Sequence, residues 1–176
     1  MENKKKFKKV LVVLGGNSGE RSVSIETGKA CIKALKKKGY KVSTFDPKNK
    51  NFNLINDKKV DVIFNALHGK DGEDGVAQSY FEYLKIPYTH SGVISSYNAM
   101  NKIVSKELFI KYKIKTPKYF SIKKSGSKRT VSQIIFKLKK ISFPIVAKPN
   151  NEGSSLGVII CKSKKQLFRA IKKLFK

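Results

Sequence analysis

The chain has 176 residues, 40% of them hydrophobic with 11 Phe and 7 Tyr, so it can bury a core and is not a disordered tail. Its formal net charge of +27 comes from 39 basic against 12 acidic residues, yet only Arg21, Arg129 and Arg169 are arginines. Specific readers of bases and phosphates favour the planar arginine fork; these lysines are dispersed, with no zinc-finger, RNP-type or basic-zipper pattern, which argues against a specific nucleic-acid partner.

No apolar run approaches the length of a membrane span, and basic Met1–Lys9 precedes only Val10–Leu14, too short for the apolar region of a signal peptide. Cys31 and Cys161 form no C-x-x-C pair and read as reduced thiols, so a cytoplasmic setting without a membrane partner is expected.

In chain order, Lys8–Leu14 reads as a strand and Ser22–Lys38 as a helix closed by Gly39. Strands at Lys41–Phe45 and Val60–Phe64 follow, then a helix over Val76–Lys85 and a short extended segment at Ile86-Pro87-Tyr88. Strand–helix–strand spacing implies right-handed crossovers and a parallel sheet covered on both faces, with ligands at the carboxyl ends of its strands. The loops Gly15–Glu20 and Asn65–Gly75 both lie at such ends. A long amphipathic helix is expected over Ser95–Tyr112, an extended run at Thr116–Phe120 and a helix over Val131–Lys140. A hairpin should pair Phe143–Ala147 with Val158–Cys161, and a last helix should run from Lys164 to the end. Two domains are expected, a Rossmann-like α/β domain over 1–95 and an incomplete α+β domain over 96–176. The second region supplies too few strands for an independent sheet, so the chain reads as cut short.

The hairpin loop, Lys148-Pro-Asn-Asn-Glu-Gly-Ser-Ser-Leu-Gly157, assembles the parts of a phosphate cradle. Lys148 gives a fixed charge, Ser154 and Ser155 give short hydroxyls, and Gly153 and Gly157 allow close backbone approach. The Walker spacing is absent. Gly15-Gly16-Asn17-Ser18-Gly19 lacks the dinucleotide spacing, so Asp46 has no fingerprint to serve as a ribose acid. Asp71, Glu73 and Asp74 do not follow the calcium-loop order, and no spacing supports zinc. Taken singly, Glu20 reads as a helix-start carboxylate, His68 as a loop histidine and the acidic run as a solvated turn.

Four stretches, Leu14 to Ser24, Ala66 to Gly75, Met100-Asn-Lys102 with Lys106, and Lys148 to Gly157, in this order resemble the D-alanine–D-alanine ligases of the ATP-grasp superfamily. The resemblance implies that ATP phosphorylates one D-alanine carboxylate and the amine of a second attacks the acyl phosphate. It also implies that Glu20 holds the first D-alanine's ammonium, with Ser154 fixing its orientation, and that His68 lines that pocket. Lys102 and Lys148 would bind ATP phosphates, with Glu152, Gly153, Ser154, Ser155 and Gly157 in the covering loop. Asn101 departs from the family's usual Met-Asp-Lys. Of the 12 acidic residues only Glu152 lies beyond Glu107, so the family's Mg2+ ligands are expected past Lys176, with no metal ligand in this chain. The resemblance further implies cell-wall precursor synthesis by a full-length homodimer, with this chain inactive alone. D-lactate or D-serine ligation and a basic nucleic-acid module are the alternatives.

Overall fold

The computed structural model describes residues 7–124, 127–139 and 141–175, without the side chains of 56–58 and 127–130. The basic run at the start and the helix ends expected at Lys140 and Lys176 lie outside the described residues. The chain divides into two compact units, Met1–Asn101 and Lys102–Lys176.

The first unit is built on a parallel sheet of order β2-β1-β3, with β1 Lys9–Val13, β2 Lys41–Phe45 and β3 Val62–Asn65. β1 is central, pairing Lys9 with Lys41 through Val13 with Phe45 on one side, and Val10 with Val62 through Val13 with Asn65 on the other. A central strand in a covered parallel sheet buries both faces, which explains an apolar run without polar alternation. Its side chains still alternate in direction. Leu11 and Val13 join Phe45, Phe52, Ile55, Ile63, Ala77 and Phe81 on one face, while Val10 and Val12 join Ala66 on the other.

Helix α1, Arg21–Lys37, lays Ile32 and Leu35 against the second cluster, and α2, Val76–Tyr83, sends Ala77 and Phe81 into the first. The end of α1 is as expected: the Lys38 amide reaches the carbonyls of Ala34 and Leu35, and Gly39 follows at φ +77. Gly28 is demanded by packing, because a Cβ there would lie 2.7 Å from Leu14 Cβ.

β3 starts at Val62 rather than Val60; Asp61 turns its carboxylate to the Lys8 and Lys9 amides, each at 2.8 Å. Hydrophobic periodicity carries no sign of the 3-10 helix Phe52–Lys58, which is fixed by a tertiary contact, the Phe52 ring stacking 5.1 Å from Tyr80. The Ile86–Tyr88 segment adds a parallel bridge to β3, with Ile63 N donating to Pro87 O at 2.8 Å.

The single helix expected from Ser95 to Tyr112 is corrected: α3, Val93–Met100, and α4, Lys102–Lys111, are separated by Asn101, whose ψ of 101 is extended. The amides of Lys102 and Ile103 donate to Asn150 O and Oδ1, at 3.2 and 3.0 Å, instead of to a preceding helical turn.

In the second unit α4 is followed by α5, Ser127–Leu138, the antiparallel pair β4, Ile145–Ala147, and β5, Ile159–Cys161, and α6, Lys164–Leu174. Thr116–Phe120 forms no strand among the described residues. Ile145 and Cys161 face a core with Ile134, Leu167, Ala170 and Ile171, while Val146 and Ile160 point away and stay 53% and 65% exposed. At the start of α6 the Ser163 hydroxyl accepts from Gln166 N while Gln166 Oε1 accepts from Lys162 N, a reciprocal pair of the capping-box kind.

Candidate functional site

In a parallel sheet ordered 2-1-3 the connections leave β1 in opposite directions, so the loops after β1 and β3 part over a crevice at their carboxyl ends. The two polar, glycine-rich loops occupy that rim and are tied together. Ser24 Oγ accepts from Gly15 N at 2.8 Å and donates to Ala66 O at 2.7 Å, and Ser18 Oγ donates to His68 O at 2.7 Å.

Glu20 stands at the N-cap of α1 but makes no side-chain capping bond; its side chain is buried at 5% exposure. The carboxylate packs directly on Gly69, whose φ is +69 and where any Cβ would collide with Glu20 Oε2. A carboxylate taken out of water in this way is a ready partner for an ammonium group. The His68 ring is held between Glu73 Oε1, 3.4 Å from Nδ1, and Thr27 Oγ1, 3.2 Å from Nε2. Glu73 is exposed and Asp74 half-buried, as a solvated turn would have them, yet both carboxylates also bond the loop's own backbone. Glu73 Oε2 accepts from Gly69 N at 2.8 Å, and Asp74 accepts from the amides of Asp71 and Val76 at 3.0 and 3.2 Å. They shape the loop that carries His68. Thr27 and Glu73 were not singled out as holders of His68; the available signal was the Asp74-x-Val76 spacing of an Asx turn, which marks the loop as self-bonded.

A second feature missed from the sequence is the Arg21–Asp46 pair, bidentate at 3.0 and 2.7 Å. Arg21 Nη1 also donates to Gly16 O, and Asp46 Oδ1 accepts from the amides of Gly16 and Lys48, so the pair clamps the first glycine loop to the end of β2. The Arg21 hydrogen bonds, aided by these amides, pull the Asp46 carboxyl down to about 2.

The other candidate residues lie on the second unit. Lys102 opens α4, and its ammonium donates to Asn150 O at 3.1 Å and to Glu152 O in a very short contact. Lys148 follows the last residue of β4 and is exposed. Burial, and then the Lys148 charge, depress the Lys102 ammonium, with Glu152 opposing, and the same two causes depress Lys106. Three ammonium groups thus share one field. Lys106, quoted in the sequence motif without a role, is fixed by Thr116 Oγ1 at 2.7 Å, Pro117 O at 2.9 Å and the Tyr119 ring. The loop that Lys102 reaches turns through left-handed residues, Ser154 at φ 43, Ser155 at φ 61 and Gly157 at φ 69. Gly153 O accepts from Leu156 N at 2.9 Å, and a Cβ on Gly157 would lie 2.8 Å from Pro149 Cγ. Non-glycine residues held left-handed are unusual and gather in ligand-gripping loops. Among the described residues no three His, Cys, Asp or Glu side chains gather where they could hold a metal ion.

Residues 46–91 match the family model described as the D-ala D-ala ligase N-terminus, and residues 108–176 match that of the D-ala D-ala ligase C-terminus. The chain is 51% identical over 154 residues to a D-alanine--D-alanine ligase of Pelagibacter ubique, covering 88% of this chain and 50% of that protein. Among solved structures, the D-alanine--D-alanine ligase of Bacillus anthracis superposes with a TM-score of 0.81 at 35% identity, covering 96% of this chain and 54% of that one. The same enzyme complexed with ATP gives 0.77 at 34% identity, with 96% and 55% covered. The chain therefore spans about half the length of the curated relatives it matches.

Proposed function

The chain belongs to the D-alanine–D-alanine ligase family, and from that premise we propose that the protein to which it contributes joins two D-alanines using ATP. The observation that carries the reading is the geometry of the second unit's loop, where the Lys102 ammonium is held on the carbonyls of Asn150 and Glu152 beside the left-handed turn at Ser154, Ser155 and Gly157. The Lys148 charge bears on both Lys102 and Lys106, in a part of the chain with one acidic residue, Glu152. Such an arrangement is unfavourable on its own and becomes favourable when a polyanion arrives.

On this reading Lys102 and Lys148 receive nucleotide phosphates, and Lys106 adds charge without leaving its anchors on Thr116 and Pro117. The loop from Glu152 through Gly153, Ser154, Ser155 and Gly157 closes over them. In the first unit, Glu20 holds the ammonium of the first D-alanine, Gly69 giving it room, and His68 lines the pocket in an orientation set by Glu73 and Thr27. ATP supplies the activation of the carboxylate; these residues bind, orient and neutralise, and none acts as a nucleophile. Among the described residues no three carboxylates gather as a magnesium platform would need, and no step is assigned to a metal. The reading implies reaction in the cytoplasm, by a homodimer, supplying a dipeptide for cell-wall precursors.

The test is phosphate release and dipeptide formation with D-alanine and Mg-ATP. Residues 1–176 alone are expected to give no turnover. The protein extended to its relatives' length is expected to turn over, and Lys148→Ala there should lower kcat/KM for ATP while leaving the KM for D-alanine nearly unchanged. Unchanged ATP kinetics in that variant would refute the assignment.

A further inference from the structure

The first unit contains a cavity of about 340 Å3, within the range of small-molecule pockets, to which the ligase reading gives no occupant. It opens at the carboxyl ends of all three parallel strands. Gly15, Gly16 and Asn17 line it from the loop after β1, Pro47, Lys50, Asn51 and Phe52 from the loop after β2, and Leu67, His68, Lys70 and Asp71 from the loop after β3. We propose that this cavity is a second binding site, for small organic anions that carry a carboxylate or phosphate group on a planar or apolar body.

The walls divide by chemistry. Phe52, Tyr80, Pro47, Leu67 and Val76 give an apolar side, on which the Phe52 and Tyr80 rings are already stacked 5.1 Å apart with 24° between their planes. Lys50 and Lys70, from two different loops, give the lining two cationic residues against one acidic residue, Asp71, with Asn17 and Asn51 also on the wall. Asp46, adjoining Pro47, does not add to the negative side because Arg21 neutralises it through two hydrogen bonds. An anion with an apolar body satisfies both sides together, whereas a cation would meet two lysines and a neutral polar ligand would desolvate them without compensation. Asn51 also starts the 3-10 helix, its side chain accepting from Asn53 N at 2.9 Å, so the helix and the pocket mouth are fixed by the same residue. The cavity shares the two rim loops, and His68 is the one residue of the proposed D-alanine contacts, Glu20 and His68, that lines it, so an occupant would touch the ring that Glu73 and Thr27 hold. The inference does not depend on the ligase reading.

The experiment is NMR titration of the 176-residue chain at physiological salt with adenosine 5′-monophosphate and with benzoate, against adenosine, benzyl alcohol and inorganic phosphate. An anionic probe is expected to shift the amides of Gly15, Gly16, Asn17 and Lys70, with its neutral counterpart at least tenfold weaker. Phenyl phosphate against benzoate, which keeps the phenyl body constant, decides between phosphate and carboxylate. Lys50→Ala with Lys70→Ala, both exposed positions, should weaken binding about tenfold or more. Val76→Trp should block binding by filling the apolar side. The proposal falls if no probe shifts these amides, if neutral counterparts or bare phosphate bind equally well, or if the shifts scatter over lysines elsewhere. It falls too if D-alanine displaces the probe, since the cavity would then be a substrate subsite. Failure of this kind leaves the ATP experiment on the second unit untouched.

Discussion

In the first unit the backbone amides of the functional loops are met by carboxylates: Gly16 by Asp46, Gly69 by Glu73, Asp71 and Val76 by Asp74. In the second the direction reverses, and ammonium groups are met by backbone carbonyls: Lys102 by Asn150 and Glu152, Lys106 by Pro117, Lys137 by Ser121. The difference follows from the acid distribution, because only Glu152 among the acidic residues lies beyond Glu107. A carbonyl can orient an ammonium but brings no full charge to cancel it. The loops of the first unit therefore have these amides matched by full charges in the free protein, while in the second Lys102 meets only carbonyls at the start of a left-handed glycine-serine loop. Packing differs in parallel. The first sheet has a cluster on each face, whereas the two-stranded sheet of the second has one covered face and leaves Ile160 65% exposed.

The largest expected effect tests that packing contrast. Phe81→Ala, at a fully buried position, should destabilise the first unit by about 3–5 kcal/mol, whereas Ile160→Ala should move the second by no more than about 0.5 kcal/mol. Chemical denaturation followed by NMR signals from each unit checks both; a comparable loss at Ile160 would mean that its face is covered in solution. Next comes Gly69→Ala, which combines left-handed backbone with a collision on Glu20. A loss of about 1–3 kcal/mol is expected, read by thermal unfolding, and under the proposed function calorimetry should also find D-alanine binding abolished.

A smaller effect separates the two electrostatic regimes. The Asp46 carboxyl, held at about 2, lies below its unfolded value near 4, so its contribution is present above about pH 4 and is lost as pH falls through 2. After solvent screening that contribution is about 1 kcal/mol, so Asp46→Asn should lower stability at pH 7 by that amount and flatten the acid limb between about pH 4 and 2. The pH dependence of unfolding measures it. Smallest is Lys148→Met. With one positive neighbour removed, the Lys102 and Lys106 ammonium groups should both titrate closer to the ordinary lysine range, as read from their side-chain NMR signals. No change at either would mean that the three charges do not share a field.

Much of this was legible in the chain. The apolar run Val10–Leu14, the Gly39 stop and the strand Lys41–Phe45 are set by local chemistry, and the structure has them where periodicity and capping put them. What was not legible depends on distant partners. Asn101 breaks a helix because Asn150, far along the chain, takes the next two amides. The 3-10 helix rests on a ring stack with Tyr80, and Asp46 has meaning only beside Arg21. Glu20 and His68 could be named from motif order, but the burial of one against Gly69 and the restraint of the other between Glu73 and Thr27 arise only when the two loops meet in the fold.

The claim that the second unit's unmatched lysines await phosphate is tested most directly by titrating the chain with ATP while following the side-chain signals of Lys102, Lys106 and Lys148. The account predicts that ATP shifts all three and raises the depressed Lys102 and Lys106 ammonium groups, that Lys148→Ala removes most of the response, and that D-alanine leaves these signals unmoved. ATP-induced shifts spread evenly over the surface lysines, or an undiminished response in Lys148→Ala, would contradict it.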